Sequence, residues 1–371
     1  MLSYIIWNGS PEIFSIGFFS LRYYGLLFAL GFLISQQIMY YIHKQEGKPE
    51  KDVDTLTIYM IVATIVGARL GHVIFYEPAM LWEKPLSVFL PFELSPFRFT
   101  GLQGLASHGA AIGILFGLWL YSRKKHVNQN YLQILDRIVI LVCLTGCLIR
   151  LGNFFNSEII GKPTDSPMGV VFVNPMIDRI MADDDNTNPV ESYELVKDST
   201  SVVNQNGRVP LSLFLFFKKG TTESDANNFV QSRVYGSIAT KSEFVDFVNG
   251  SFNAKVGAES NGNYAAKISF LGISRHPAQL YESISCFLLF ALLLWYWSKH
   301  KLNLPEGRIF GVFLIALWTL RFAYEFLKEN QVQFEDELSF NMGQILSIPL
   351  VLVGVWVLIR SFRKQANNTQ A

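Results

Sequence analysis

Charge is what this chain has least of. Asp, Glu, Lys and Arg make up 16% of its 371 residues, against about 25% in ordinary soluble domains. The 31 Lys and Arg nearly balance the 30 Asp and Glu, leaving a formal net charge of +1. That excludes a basic footprint of the kind that neutralises nucleic-acid phosphates, so no nucleic-acid partner is expected. Cysteine is as sparse: Cys143, Cys147 and Cys286 are odd in number and sit inside apolar runs. They supply neither a disulfide framework nor zinc-ligand spacing. Cys143 and Cys147 share a helix face, where small packing residues are the plainer explanation. There is no internal repeat, which weakens a transporter built from inverted halves. The apolar runs contain no cluster of aspartates or histidines, so no metal and no cofactor is expected.

What is abundant is apolar sequence, 50% of the chain. A bilayer core about 30 Å thick takes roughly 20 apolar residues of helix. Stretches 21–42, 55–76, 103–121, 131–152, 278–298, 308–327 and 342–361 meet that need. Residues 1–30 lack the basic cluster and small-residue cleavage site of a signal peptide. Basic residues crowd the loops after the first, third, fifth and seventh stretches ("HKQEGKPEK", "SRKKH", "SKHKLNLPEGR", "RSFRKQ"), whereas "KENQVQFEDELS" after the sixth is mostly acidic. Basic loops stay in the cytoplasm. The N-terminus is therefore expected outside (periplasmic) and the C-terminus in the cytoplasm.

Between the fourth and fifth stretches lie residues 156–276, on the outer side. Residues 178–208 read as an exposed polar loop, 209–220 as a strand and 224–234 as a short amphipathic helix. Residues 242–250 read as a further helix and 263–273 as a closing strand. Asp183 to Asp185 lack the glycine and distal glutamate of a calcium loop and read as a solvated turn. The expected fold is an all-α polytopic membrane protein of seven transmembrane helices. A small α+β extramembrane domain is inserted between helices four and five. The expected division is 1–155, 156–276 and 277–371.

Ionisable residues inside membrane stretches are expensive and point to function. They are Arg69, His72, His108, Asp136, Arg150, Glu282, Arg321 and Glu325. Arg321 and Glu325, four apart, share a helix face and can pair, which could be purely structural. Arg150 has no carboxylate three or four residues away, although Asn153 is on its face. It needs an anion from elsewhere, and in a bilayer a lipid phosphate suits its planar fork. His108 lies in "LASHGAAIG", whose small residues leave room beside the ring. It is either a packed, hydrogen-bonded core histidine or a general base, and an unperturbed imidazole near pH 6.5 suits the latter role. "GARLG", with Gly67 and Gly71, reads as a close helix contact.

Several segments resemble the prolipoprotein diacylglyceryl transferase family. They are "LRYYGLLFALGF", "GARLGHVIFY", "SHGAAIG", "IRLGNFFNSEIIG", "TDSPMGVVF", "RHPAQLYE", "LRFAYEFLKE" and "MGQILSIP", in the family's order. The resemblance implies a bacterial inner-membrane enzyme of lipoprotein biosynthesis. It would move the diacylglyceryl group of phosphatidylglycerol to the thiol of a prolipoprotein lipobox peptide, with glycerol phosphate leaving. It further implies that Arg150 and Arg321 bind the phosphate and stabilise the leaving group, and that His108 is the proposed base. Asn153, Glu158 and Gly161 fall on signature positions: Asn153 would bond the lipid head group and Glu158 would orient an arginine or the peptide. Glu325 would hold Arg321, and Tyr24 would stand near the lipid. Two departures follow: Leu317 replaces a family tyrosine, whose part Tyr324 could take, and residues 179–265 are unmatched. An anion carrier is the competing reading, disfavoured because Arg150 and His108 lie towards the outer ends of their helices.

Overall fold

The computed structural model describes residues 4–16, 19–83, 88, 92–94, 97–99, 106–124, 129–183, 187–198, 207–260, 262–329 and 339–370. Along the chain, β1 (Ile5–Trp7), β2 (Glu12–Ile16) and β3 (Phe19–Arg22) precede α1 (Tyr23–Gln45), α2 (Lys51–Tyr76) and α3 (Met80–Glu83). Next come β4 (Phe92–Leu94), β5 (Phe97–Phe99), α4 (Ser107–Ser122), α5 (Tyr131–Phe155), β6 (Val170–Phe172) and α6 (Asn174–Met181). β7 (Val190–Lys197), β8 (Arg208–Phe217), α7 (Glu223–Phe229), α8 (Tyr235–Thr240), β9 (Val245–Phe247), β10 (Asn253–Ala258) and β11 (Tyr264–Arg275) follow. The chain ends in α9 (Ala278–His300), α10 (Arg308–Glu325) and α11 (Met342–Gln370).

Among the described residues, five helices are long and apolar enough to cross a membrane: Tyr23–Gln45, Lys51–Tyr76, Tyr131–Phe155, Ala278–Asn303 and Met342–Asn367. They turn large apolar side chains outward, among them Ile58, Leu288 and Leu352, each more than 60% exposed. Such a surface suits hydrocarbon rather than water. The chain is thus a polytopic helical membrane protein that also carries strands. Stretches 103–121 and 308–327 correspond to the shorter α4 and α10, of 16 and 18 residues.

The chain divides into two compact units. The first comprises Met1–Ala29, Cys147–Ser285 and Leu320–Leu346. Its seven-stranded sheet runs β1-β6-β11-β8-β7, with β9 and β10 also paired to β11. β8 shows why this sequence makes a sheet: Val209, Leu211, Leu213, Leu215 and Phe217 alternate and are all buried, which is the period of a strand with one face on a core. β11 supplies Ala266, Ile268 and Phe270, and β6 supplies Val170 to Phe172. β1 and β7 stand at opposite ends of the order. Yet Asn8 Nδ2 donates to the Tyr193 hydroxyl at 2.9 Å and Lys197 Nζ to the Tyr4 carbonyl at 3.2 Å. The sheet curls until its two edges meet through side chains.

The strands expected at 209–220 and 263–273 are β8 and β11. The segment at 224–234 is helical, opened by a capping box in which Thr222 and Asp225 bond each other's backbone. Ala226, Val230, Val234 and Ile238 are buried at strict four-residue spacing. That stripe would drift around an α-helix of 3.6 residues per turn. The π-helical turn Val230–Val234 widens the coil and keeps it on one face.

Two expectations are corrected. Residues 178–208 are not a loop, because β7 occupies Val190–Lys197. Its three charged residues disguise an alternation that only pairing with β8 reveals. Residues 242–250 are not a helix: Val245–Phe247 forms β9 against β11. Phe244, Val245, Phe247 and Val248 mimic one helical turn, but so short a helix cannot repay its nucleation. Asn249 and Gly250, at φ of 51° and 69°, turn the chain there instead. Asp183 accepts from the Asn188 backbone at 2.8 Å, as a turn residue does; Asp184 and Asp185 lie outside the described residues.

The second unit comprises Leu30–Gly146, Cys286–Thr319 and Ser347–Ala371. α2 and α4 cross at glycines. A Cβ on Gly67 would lie 2.5 Å from the Gly109 carbonyl, and one on Gly113 would lie 2.5 Å from the Ala63 carbonyl. The close contact expected of "GARLG" is there, made with α4. Gly109→Val should force these helices apart and lower the thermal midpoint by several degrees, since overpacking costs about 1–3 kcal/mol or more. An unchanged melt in detergent would remove the requirement.

Three of the intramembrane charges in this unit have structural partners. Asp136 accepts from the backbone N–H groups of Gly307 and Phe310 at 2.7 and 2.8 Å and so caps the start of α10. Arg69 Nε donates to the Val88 carbonyl at 2.8 Å, and His72 lies 3.6 Å from Glu77. Just beyond α1, buried Glu46 accepts from Arg137 at 2.8 and 3.1 Å and from Trp297 Nε1 at 2.7 Å. Burial alone would raise the Glu46 pKa. The Arg137 charge and the hydrogen bonds outweigh burial and hold it below the usual carboxylate value.

Candidate functional site

The site grows from the last turn of α5, within the first unit. Asn156 N–H still reaches the Gly152 carbonyl and Glu158 N–H the Asn153 carbonyl. The helix then stops abruptly, because Ser157 and Ile159 take φ of 53° and 55°. A β-branched residue at positive φ is a genuine outlier, and each such residue costs on the order of 1–3 kcal/mol. Ser157 Oγ, bonded to Asn174 Oδ1 at 2.7 Å in the interior, holds the turn in place. The turn presents Glu158, whose carboxylate receives Asn153 Nδ2 at 3.1 Å and Asn156 Nδ2 at 3.2 Å. Its backbone carbonyl accepts from Gln279 at 2.5 Å.

Arg150 Nη1 donates to Asn153 Oδ1 at 3.5 Å, and its Nε pairs with Glu282 Oε2 of α9 at 2.5 Å. The arginine without a local carboxylate thus receives one from another helix, and its need for an anion does not by itself imply a phosphate. Glu282 Oε1 contacts Lys328 Nζ, which also reaches Glu325 Oε1 at 3.3 Å. Glu325 in turn pairs with Arg321 Nε at 3.8 Å and accepts from Asn341 Nδ2 at 3.1 Å. Gly343 makes room for it: a Cβ there would lie 2.6 Å from the carboxyl carbon. Arg150, Glu282, Lys328, Glu325 and Arg321 therefore form one line of alternating charge. Lys328 is nearly buried at 4% exposure, whereas Arg150 and Arg321 keep 21% and 34% of their side chains open. The two arginines are where an anion can arrive.

Gly161 serves a close approach. Its backbone N–H bonds the His276 carbonyl at 3.1 Å, where a Cβ would collide, and its own carbonyl accepts from Arg275 at 2.9 Å. Tyr24 lies on Gly152 of α5, 2.9 Å from where a Cβ would stand. Tyr324 bonds Ser285 through its hydroxyl, and Leu317 packs among apolar residues of the second unit. His108 lies in the second unit on the first turn of α4, exposed.

Arg150, Asn153, Glu158, Gly161, Tyr24, Arg321 and Glu325 all fall in the first unit. Sequence reasoning placed Glu282 among the membrane charges without a partner and missed Lys328, Asn341 and Gly343. A signal for Lys328 existed, since Arg321, Glu325 and Lys328 follow one another by four and three residues, the spacing of one helix face.

The family model described as prolipoprotein diacylglyceryl transferase matches residues 11–208 and 226–360. The phosphatidylglycerol–prolipoprotein diacylglyceryl transferase of Bacteroides fragilis is 31% identical over 369 residues, 99% of this chain and 98% of that protein. The enzymes of the same name from Tolumonas auensis and Porphyromonas gingivalis are 31% and 30% identical. They cover 98% and 97% of this chain, and 99% and 96% of their own lengths. Residues 179–265 are therefore not an unmatched insertion: only 209–225 fall between the two matched ranges.

Proposed function

Because the chain belongs to the prolipoprotein diacylglyceryl transferase family, we propose that it transfers the diacylglyceryl group of phosphatidylglycerol to the cysteine thiol of prolipoprotein lipobox peptides. The observation that carries this reading is the pair of partly open arginines, Arg150 and Arg321, each backed by a carboxylate that is itself only 10% exposed. The thiolate sulfur attacks the glycerol carbon that bears the phosphate ester. A carbon–sulfur bond forms, the carbon–oxygen bond breaks, and glycerol phosphate departs. The phosphate passes from diester to monoester and gains negative charge as the bond breaks. Cations placed on it therefore bind the transition state more tightly than the ground state, which is what accelerates a reaction.

In this reading Arg150 and Arg321 hold the phosphate and stabilise it as it leaves. Glu325 keeps Arg321 in place, and Asn153 bonds the head group. Glu158 fixes Asn153, and through it Arg150, within reach of the peptide. Tyr24 borders the lipid, and Gly161 lets the strained turn pack. His108 takes the thiol proton. The bilayer holds the lipid substrate, and α4 and α10 join the five long helices as spans, giving seven. The sheet-bearing segment between α5 and α9 is the periplasmic head of a bacterial inner-membrane protein, with the N-terminus outside and the C-terminus in the cytoplasm. On this view residues 1–155 and 277–371 are the membrane parts on either side of a head at 156–276, to whose sheet Ile5–Trp7 of the N-terminal part adds β1.

Mass spectrometry tests the reaction directly. Purified protein with phosphatidylglycerol and a one-cysteine lipobox peptide should add a diacylglyceryl mass to the cysteine, with or without EDTA. Folded protein that binds the lipid and adds no mass would overturn the proposal. The base is tested by pH. A thiol of pKa near 8.5 ionises unaided at pH 9 but not at pH 6.5. His108→Gln should therefore slow transfer by about tenfold or more at pH 6.5 and much less at pH 9. Equal loss at both pH values would assign the ring to positioning alone.

A further inference from the structure

We propose that Lys328 is a positioning residue that sets the charge available to the phosphate, a role that rests on the reading of Arg150 and Arg321 as the phosphate clamp. Its ammonium contacts Glu282 Oε1 and lies 3.3 Å from Glu325 Oε1, while each of these carboxylates also holds one of the arginines. Lys328 is the member of the set that touches both halves.

Two consequences follow from that place. The first is spacing. Lys328 draws Glu282 of α9 and Glu325 of α10 towards one point, and each glutamate carries its arginine with it. The main chain anchors the lysine as well: its neighbour Leu327 accepts from the Lys162 N–H at 2.8 Å, and Lys328 bridges to Gly161 of the strained turn. The turn that follows Glu158 and the helices α9 and α10 are thus tied where the lysine sits.

The second consequence is charge. Among the described residues, Arg150, Arg321 and Lys328 face Glu158, Glu282 and Glu325, so cations and carboxylates balance in this linked set. By taking a share of both glutamates, Lys328 leaves the arginines less than fully neutralised. Without it, Glu282 and Glu325 turn wholly to Arg150 and Arg321. Carboxylates then exceed cations where an anion must bind, in surroundings where opposite charges interact far more strongly than in water. An arginine at 328 can still bridge two carboxylates through its fork, whereas a methionine of similar length cannot.

The test compares wild type, Lys328→Arg and Lys328→Met in detergent, by two readouts. Binding of phosphatidylglycerol against phosphatidylcholine is followed by native mass spectrometry. Transfer to a lipobox peptide is followed as kcat and KM. We expect Lys328→Met to weaken phosphatidylglycerol binding and raise KM at least tenfold while its far-UV spectrum stays that of wild type. Lys328→Arg should restore most of both. Binding by Lys328→Met within twofold of wild type overturns the role of Lys328. So does a loss that arginine fails to rescue while that variant keeps the wild-type spectrum and melt. The binding readout stands without transfer: a wild type that binds phosphatidylglycerol through Lys328 and modifies no peptide would overturn the proposed reaction and leave the role of the lysine supported.

Discussion

Arg150→Lys should cost about a hundredfold or more in diacylglyceryl transfer, the range seen when one preorganised donor to a developing oxyanion is lost. The substitution keeps the positive charge, so a large loss reports on geometry. In the native site the Arg150 Nε is committed to Glu282 at 2.5 Å and one terminal nitrogen leans on Asn153 at 3.5 Å. A guanidinium can make these bonds and still offer others in the same plane. A lysine has three donors at a single point and must choose between Glu282 and a phosphate. The measurement is the initial rate at saturating phosphatidylglycerol, with the thermal midpoint as control. A variant retaining half of the wild-type rate would remove Arg150 from the clamp.

Deleting residues 179–265 should abolish transfer altogether, through loss of fold. The segment carries β7, β8, β9 and β10 and the first residues of β11. It also carries most of the core beneath the sheet, including Leu211, Leu213, Leu215, Val230, Val234 and Val245. Each large apolar side chain of this kind contributes roughly 1.5–3 kcal/mol when buried, more in sum than a domain can lose. Phe154 packs in the same core, one residue after Asn153. Arg275, which bonds the Gly161 carbonyl, also holds the Glu243 carbonyl at 2.7 Å. The turn that presents Glu158 is therefore built on the segment. Limited proteolysis should find the remainder of the head cleaved at once, and the peptide should gain no mass. Transfer within twofold of wild type would reduce the segment to decoration.

How much was legible depended on how local each signal was. Long apolar runs show themselves without partners, and five of the seven stretches are helices of spanning length. The alternation of β8 and the i, i+4 pair of Arg321 and Glu325 are equally local. β7 and β9 were misread because their patterns have meaning only beside β8 and β11. Glu282 lies 132 positions from Arg150, and no periodicity foretells that pairing. The left-handed turn at Ser157 and Ile159 was hidden for another reason: neither residue type favours that conformation, and the surroundings impose it. Such exceptions to local preference gather at functional sites.

The closure of the curled sheet has a consequence for how the protein is made. Residues 5–7 leave the ribosome well before residues 170–172, with which they pair, and their neighbours Tyr4 and Asn8 bond residues 197 and 193. A parallel pair cannot form until its long connection exists, and pairings this distant in sequence form slowly. Synthesis must pass residue 275 before β11 can receive β6 and β8. Until then the apolar face of β8 has no partner strand from β11. Until β11 is made, the sheet is left with an open edge awaiting its central strand.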